Sequence, residues 1–381
     1  MKERMNPAVT GIAMSGIRAY SAMAKATPGC IALTIGEPDF NTPEVVKARA
    51  KQDLDANLTH YPEGNGERYL REAIAAFERE KNGYDYTPDE VIVTAGATGA
   101  LFCALCGVLA PGDEVIVPTP AFGLYETIIA LSRGVYVPMP TQNDHFQITA
   151  ERLNAAVTEK TKAIILTSPN NPTGCIYTEE SLQAVREAAK KHDLFVLCDD
   201  VYAQLSYTEN YRSFAAFREL RDRIILIQSF SKPYAMTGWR VGYLCADAPV
   251  RAELQKVNQN CIVSISSFVQ HACVTALGCD VTEMRETYRR RRDFILARLA
   301  EMGLEVEQPE GAFYVFPSIA KYGMTSEEFC TRMIKEGGVG AVPGVFFGAE
   351  GYLRLSYCYS DEELSAAMDK MAAFLKTLTI R

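Results

Sequence analysis

The sequence predicts an α/β fold: a mostly parallel, seven-stranded sheet in a large domain, beside a smaller α+β domain. From residue 91 to residue 246, short apolar runs rich in β-branched residues alternate with amphipathic helical stretches. Such alternation is typical of a parallel sheet that helices cover on both faces. The pattern changes after about residue 285, and a chain of 381 residues exceeds one simple core. These observations together predict two domains.

Seven apolar runs give the predicted strands of the large domain. In chain order they are VIVT (91–94), EVIVP (114–118), VYVPM (135–139), AIILT (163–167), FVLCD (195–199), IILIQ (224–228) and VGYLCA (241–246). The stretch TEESLQAVREAAKKHD (178–193) has helical periodicity, and Thr178 is its candidate N-cap.

The C-terminal part has a different order of elements. A charged helix leads into GAFYVFP, a helix near 325–337, YLRLSY and a final helix. The first 45 residues have little sheet pattern of their own, so we expect them to join this part. We therefore predict a large domain over 46–284 and a small domain built from 1–45 and 285–381. The run RRRR (289–292) lies on a helix, which disperses its side chains and favours a solvated, salt-bridged face over an anion site.

Composition excludes several classes of function. The net charge is −8 and the basic residues are spread along the chain, which argues against nucleic acid as a partner. No run has the length of a membrane span and the N-terminus lacks the apolar core of a signal peptide, so we expect a cytoplasmic protein. The eleven cysteines are scattered in apolar segments, and the Cys103–Cys106 pair falls in a buried helix. We therefore expect no metal site.

Ligands of such sheets bind at the carboxyl ends of the strands. After VIVT, the small residues of AGATGAL (95–101) open a helix, where backbone N–H groups suit a phosphate. They would equally permit tight helix–sheet packing. After EVIVP, Phe122 could stack on a planar ligand or belong to the core.

Polar residues follow the next two strands. After AIILT, Asn171 in the turn SPNNPTG could direct its amide at a ligand, or serve the turn alone. Asp199 ends FVLCD, where an unpaired buried carboxylate is costly. It needs a cation, either a protonated ring nitrogen or an arginine. Tyr202 follows three residues later.

The stretch SFSKPYAMTGWR (229–240) follows IILIQ. Ser229 and Arg240 could complete a phosphate site. Between them, Lys232 is either a solvated loop residue or a sheltered amine with a lowered pKa, nucleophilic toward a carbonyl. The strand ends together offer a phosphate site, a stacking ring, an amide, a buried acid and an amine. Pyridoxal phosphate is a ligand that uses all of them.

Longer motifs point to a known family. LTIGEPDFNTP (33–43), YPEGNGERYLREAI (61–74), SPNNPTG, CDDVY, SFSKPYAMTGWRVGY and YLRLSY occur in the order and spacing of fold-type I aminotransferases of class I/II. The chain resembles this family over nearly its whole length. SGIR, GAFYVFPSI and GMTSEEF make it most similar to the bacterial members that act on aromatic amino acids or on N-acetyl-LL-diaminopimelate.

The resemblance implies pyridoxal phosphate as cofactor. Lys232 would form its Schiff base and carry the proton between the substrate Cα and the cofactor, while Asp199 would pair with the pyridinium nitrogen. The other implied cofactor contacts are Asn171 and Tyr202 at the ring oxygen, Phe122 at the ring face, and Ala97, Thr98, Ser229 and Arg240 at the phosphate.

The resemblance also implies how substrate binds. Arg354 would grip the α-carboxylate, with Asn171 and the backbone of Gly36 beside it. Tyr61 matches a tyrosine that reaches the phosphate in the neighbouring subunit, which implies a homodimer with shared active sites.

Two positions depart from the pattern of aspartate-specific members. Phe122 stands where these often have tryptophan, and Thr98 where some have a lysine for the distal carboxylate. Arg18 could take that role, or be a surface arginine.

The expected activity is transfer of an amino group from an L-amino acid to a 2-oxo acid such as 2-oxoglutarate, by a ping-pong mechanism. A carbon–sulfur β-lyase is the alternative, because that branch keeps the same lysine and arginines. A non-catalytic sensor module would need a DNA-binding segment that the N-terminus does not provide. A nicotinamide dehydrogenase would need the glycine fingerprint, which is missing.

Overall fold

The structure, a computed structural model, describes residues 1–209 and 211–380. The strands are β1 (Ile31–Ala32), β2 (Val91–Thr94), β3 (Glu114–Thr119), β4 (Val135–Pro140), β5 (Thr161–Thr167), β6 (Phe195–Asp199), β7 (Ile224–Ser229), β8 (Gly242–Ala246), β9 (Tyr314–Val315), β10 (Val339–Gly340), β11 (Val342–Pro343) and β12 (Leu353–Ser356). The helices are α1 (Pro7–Thr10), α2 (Gly16–Ala26), α3 (Glu44–Asp55), α4 (Arg68–Phe77), α5 (Gly96–Val108), α6 (Leu124–Leu131), α7 (Ala150–Ala156), α8 (Glu179–His192), α9 (Ala248–Ile262), α10 (Ser267–Leu277), α11 (Thr282–Glu301), α12 (Ser326–Lys335) and α13 (Asp361–Leu375).

The seven predicted strands form one sheet, in the order β2-β8-β7-β6-β5-β3-β4. All its pairings are parallel except those of β8, which runs antiparallel to both β2 and β7. The apolar runs of the sequence do not predict this orientation of β8. Its cause is the connection over 230–241, which carries no α-helix that could bring the chain back for a parallel pairing. This loop contains Lys232, so the strand reversal sets the position of the lysine.

Alternate residues of the central strands face two different apolar layers. On β5, Ile164 and Leu166 pack into the layer under α3, α4, α8 and α10. Their neighbours Ala163 and Ile165 pack into the layer under α5, α6 and α9. Because successive side chains of a strand point to opposite faces, both faces must be apolar, which explains the continuous apolar runs. The Thr178 side chain accepts a hydrogen bond from the Ser181 backbone N–H at 3.3 Å and caps α8, as predicted.

The C-terminal elements have an apolar core of their own. The small antiparallel sheet β11-β12-β9 packs with α11, α12 and α13, and residues of α2 and β1 join the same cluster. Strand β1 pairs with β10, with Ile31 opposite Val339, so the N-terminal segment contacts this part as expected. The domain boundaries at residues 45 and 285 remain a prediction.

The run of four arginines on α11 is salt-bridged, as predicted, but not wholly solvated. Arg289 and Arg290 pair with Glu286 and Asp361. Arg291 and Arg292, however, are only 8% and 9% exposed. They are buried because Arg291 bridges two carboxylates of neighbouring segments and Arg292 donates to a backbone carbonyl.

The described part of the chain contains no helix long and apolar enough to cross a membrane. It also contains no group of three or more His, Cys, Asp or Glu side chains that could hold a metal ion. All eleven cysteines are free thiols, and Cys103 is buried in α5.

Gly242 allows the closest backbone approach between the sheet and α5. A Cβ on Gly242 would lie 2.7 Å from the carbonyl oxygen of Gln228 and 2.7 Å from the carbonyl carbon of Gly96. Because both neighbours are backbone atoms, the strand and the helix must separate. We expect Gly242→Ala to lower the free energy of unfolding by about 1–3 kcal/mol, measured by urea denaturation. Gly238→Ala is the matched control, since nothing lies within 4 Å of its added Cβ. Equal stability of the two variants would contradict this account.

Candidate active site

A cavity of about 270 Å³ opens at the carboxyl ends of the sheet strands, between the sheet and the C-terminal part. It brings together residues that are far apart in sequence. The predicted site residues that line it are Gly36, Ala97, Thr98, Phe122, Asn171, Asp199, Tyr202, Ser229, Lys232, Arg240 and Arg354. Of the predicted set only Tyr61 lies elsewhere, with 89% of its surface exposed. Arg18 is exposed and its neighbour Ile17 lines the cavity instead.

Lys232 projects from the loop between β7 and β8. Its Nζ donates a hydrogen bond to the carbonyl oxygen of Gly36 at 2.7 Å. Burial lowers the pKa of this amine to about 8, and the positive charges of Arg354 and Arg240 act in the same direction. A substantial fraction of the amine is therefore neutral near physiological pH, the form that attacks a carbonyl or accepts a proton.

Asp199 ends β6 and is only 4% exposed. One carboxylate oxygen accepts a hydrogen bond from the Tyr125 hydroxyl at 2.6 Å. The other, Oδ1, is buried and has no hydrogen-bond partner among the described residues. Burial raises the pKa of the carboxyl to about 6, so most of it is ionised at pH 7. The side chain that pairs with Asp199 is therefore Tyr125 and not an arginine. The unpaired Oδ1 suits a cationic group of a ligand.

Arg354 lies on β12 and is 2% exposed. Its Nη1 donates to Asn171 Oδ1 at 2.9 Å, and its Nη2 donates to the Thr34 carbonyl at 2.6 Å. The Nε is buried without a partner among the described residues. The guanidinium also lies over the rings of Tyr314 and Phe347, 4.6 and 4.9 Å from their centroids. A fixed, desolvated guanidinium with spare donor capacity suits a carboxylate.

The other end of the cavity suits a phosphate. Helix α5 begins at Gly96, so the backbone N–H groups of Ala97 and Thr98 fall in its first turn, where no helical partner exists. Gly96 has φ +67°, and a Cβ there would lie 2.8 Å from Arg240 Nη2. The guanidinium therefore lies directly against the start of the helix. Ser229 adds a buried hydroxyl at the end of β7.

Sequence reasoning missed several residues of the cavity. Tyr125 and Thr167 share a 2.6 Å hydrogen bond beside Asp199, and Tyr314 contacts both Arg354 and Tyr202. The helical spacing of Tyr125 from Phe122 could have indicated a shared location; their rings meet edge to face at 6.1 Å. Nothing local marks Tyr314, because its partners come from other parts of the chain.

The unpaired oxygen of Asp199 suits a protonated ring nitrogen, and the start of α5 beside Arg240 suits a phosphate. Pyridoxal phosphate has both groups and is bound through a lysine. Residues 28–371 match the family model for aminotransferase class I and II. The chain belongs to this family.

Relatives and solved structures agree with this assignment. The "Probable N-acetyl-LL-diaminopimelate aminotransferase" of Bacillus subtilis is 39% identical, with 98% of this chain and 96% of the relative covered. The aromatic-amino-acid aminotransferase 2 of Thermococcus litoralis is 41% identical, with 95% and 96% covered. The structure of the aspartate aminotransferase of Thermus thermophilus with maleate superposes with a TM-score of 0.92, at 36% identity, over 97% and 99% of the two chains. The protein is thus an aminotransferase with the type I fold, and pyridoxal phosphate is its cofactor.

The state of the Lys232 amine can be measured directly in the cofactor-free protein. Because its pKa is lowered to about 8, we expect acetylation of Lys232 by acetic anhydride to reach half its limiting rate near pH 8. Mass spectrometry of tryptic peptides measures this, with the exposed Lys191 as a reference in the same digest. A midpoint at the ordinary lysine value of about 10.4 would contradict a desolvated amine.

Proposed function

We propose that the enzyme moves the amino group of an L-amino acid to a 2-oxo acid, with 2-oxoglutarate as acceptor, in two successive half-reactions of a ping-pong mechanism. The observation that carries this proposal is that one cavity holds both Lys232 and Arg354. The first is an amine that can move a proton, and the second is a buried guanidinium that can hold a carboxylate.

The residues present fit the cofactor. The unpaired Oδ1 of Asp199 would pair with the ring nitrogen, and Asn171 and Tyr202 would contact the ring oxygen. Phe122 would cover the ring face. The phosphate would be held by Ala97, Thr98, Ser229 and Arg240. When bound, pyridoxal phosphate withdraws electrons from the substrate Cα and carries the amino group between the two half-reactions.

Lys232 would provide the cofactor's attachment point and the acid–base group. With its pKa lowered to about 8, the amine can take the proton from the substrate Cα and give it back at a different carbon. A general base works best when its pKa is close to the operating pH. The Gly36 carbonyl, which accepts from Nζ at 2.7 Å, holds the amine inside the cavity.

Arg354 would bind the α-carboxylate of the substrate. Its position is fixed by Asn171 and Thr34, so the guanidinium need not reorganise when substrate arrives. All amino acids and 2-oxo acids have this carboxylate. Arg354 could therefore bind the substrate of each half-reaction.

The lining of the cavity favours an amino donor with an uncharged, aromatic side chain. Among the described residues, the basic ones that line the cavity are Lys232, Arg240 and Arg354, and each already has a role. Apolar Ile17 and Ile35 also line it. Among the described residues that line the cavity, no cation is left for a distal carboxylate, so aspartate and N-acetyl-LL-diaminopimelate are the less favoured donors.

A homodimer with shared active sites is part of the proposal. Tyr61 is 89% exposed, and Leu58 and Val263 nearby in the fold are 39% and 53% exposed. The segment of Tyr61 lies beside the start of α10, where Ser267 donates to the Leu58 carbonyl. These exposed apolar residues suit contact with a second copy, through which Tyr61 would reach the partner's phosphate site. A cytoplasmic location remains the expectation for the dimer.

Replacing Lys232 tests the mechanism. We expect Lys232→Ala to remove nearly all turnover, a loss of at least 10²–10⁴-fold, because no other group takes over the proton. Steady-state kinetics with a coupled glutamate assay measure the effect. Lys191→Ala, on the exposed face of α8, should keep full activity, and calorimetry should show that both variants are folded. A Lys232→Ala enzyme with normal activity would refute the assignment.

A panel of amino donors with 2-oxoglutarate tests the substrate class. Phenylalanine and tyrosine should give a kcat/KM about tenfold or more above that of aspartate, since an unpaired carboxylate in an apolar cavity costs at least 1–3 kcal/mol. N-acetyl-LL-diaminopimelate is the third arm. A preference for aspartate would overturn the proposed class. Release of pyruvate and ammonia from cystathionine, faster than any transamination, would instead identify a β-lyase.

A further inference from the structure

Tyr314 lines the cavity and contacts two residues with proposed functions, Arg354 and Tyr202. It lies on β9 and is 2% exposed. Its ring supports the Arg354 guanidinium, whose central carbon is 4.6 Å from the ring centroid. A desolvated cation over an aromatic face is a stabilising pair that also fixes the plane of the guanidinium.

The hydroxyl of Tyr314 contacts a second residue of the site, Tyr202. It lies 2.9 Å from the Tyr202 hydroxyl, within hydrogen-bond distance, and the two rings meet edge to face at 5.8 Å. Both hydroxyls are buried, so this bond cannot be exchanged for one to bulk water without cost.

The same hydroxyl lies directly over Gly36. A Cβ on Gly36 would be only 1.8 Å from the Tyr314 oxygen, so the position of this ring requires glycine there. Gly36 is the residue whose carbonyl accepts from Lys232. Tyr314 therefore contacts Arg354 and Tyr202. It also contacts Gly36, whose carbonyl holds the Lys232 amine.

We propose that Tyr314 is a positioning residue that links the carboxylate-binding Arg354 to Tyr202 through its ring and its hydroxyl. The link rests on the proposed function, in which Arg354 binds substrate and Tyr202 contacts the cofactor ring oxygen. Tyr202 has one proton, and when it donates this proton to the cofactor its own oxygen becomes available to accept. The Tyr314 hydroxyl is placed to donate to it, which orients Tyr202 and strengthens it as a donor.

Burial acts on both phenols of this pair in the same direction. Burial raises the pKa of Tyr314 to about 12, and the positive charge of Arg354 acts against that rise. Burial raises the pKa of Tyr202 well above its ordinary range. The positive charge of Arg354 also acts against the rise at Tyr202, so both phenols keep their protons near neutral pH and either can donate.

Two substitutions separate the ring from the hydroxyl. Tyr314→Phe keeps the ring under Arg354 and removes the hydrogen bond; we expect kcat to fall about fivefold and KM for the amino donor to stay within twofold. Tyr314→Leu also removes the ring; we expect KM to rise about tenfold in addition. Fluorescence titration of the cofactor-free proteins should show weaker binding of pyridoxal phosphate to both variants, a readout independent of turnover.

A control is available in a second tyrosine pair, of which Tyr357 is buried and Tyr207 partly buried. The hydroxyls of Tyr357 and Tyr207 lie 3.1 Å apart, and neither residue lines the cavity. Tyr357→Phe removes the same atom from a similar setting and should leave kcat, KM and cofactor affinity unchanged. A Tyr357→Phe enzyme with the same losses as Tyr314→Phe would overturn the link, because the effect would then be structural.

The decisive measurement is the double variant with Tyr202→Phe. If Tyr314 acts through Tyr202, adding Tyr314→Phe to Tyr202→Phe causes no further loss of kcat or cofactor affinity. Additive losses, or an unaffected Tyr314→Phe enzyme beside a damaged Tyr202→Phe enzyme, would overturn the link alone. An unaffected Tyr202→Phe enzyme would overturn the role proposed for Tyr202 and with it the link.

Discussion

The chemistry of this site depends on the burial of two ionisable groups, Lys232 and Asp199, beside one cavity at the carboxyl ends of the central sheet. Burial disfavours the charged form of an amine and of a carboxyl group alike. It therefore lowers the pKa of Lys232 to about 8 and raises that of Asp199 to about 6. The protein pairs these groups only in part, as the unpaired Oδ1 of Asp199 shows. The missing partner of Asp199 is a cation, such as a protonated ring nitrogen.

Such a cavity requires a rigid surrounding structure. The apolar layers on both faces of the sheet fix the strand ends, and the functional residues project from these ends. Strand β8 contributes in a different way, because its antiparallel return leaves a short loop between β7 and β8. That loop holds Lys232 near its start and Arg240 near its end. Gly242, at the start of β8, lets the sheet approach the N-terminus of α5, so the arginine and the helix meet at one point.

The segment that contains Thr34 and Gly36 joins the two halves of the site. Its Thr34 carbonyl accepts from Arg354 on the C-terminal side, and its Gly36 carbonyl accepts from Lys232 on the sheet side. The Lys232 amine and the Arg354 guanidinium are thus held by backbone carbonyls two residues apart. Tyr314 packs against the same segment. Its side chain contacts Arg354 and Tyr202, so it also connects the two halves of the site.

The sequence by itself determined the seven strands of the large sheet and many of the residues that line the cavity. The seven strands could be read from local apolar runs, and Asp199, Ser229 and Lys232 stood out because each is polar directly at or after such a run. Family motifs added Arg354, which no local pattern marks. Tertiary structure decided the rest: the orientation of β8, the pairing of Asp199 with Tyr125, and the central place of Tyr314. Strand ends are encoded locally by periodicity, whereas these contacts join residues distant along the chain and form only when the sheet and the C-terminal elements pack together.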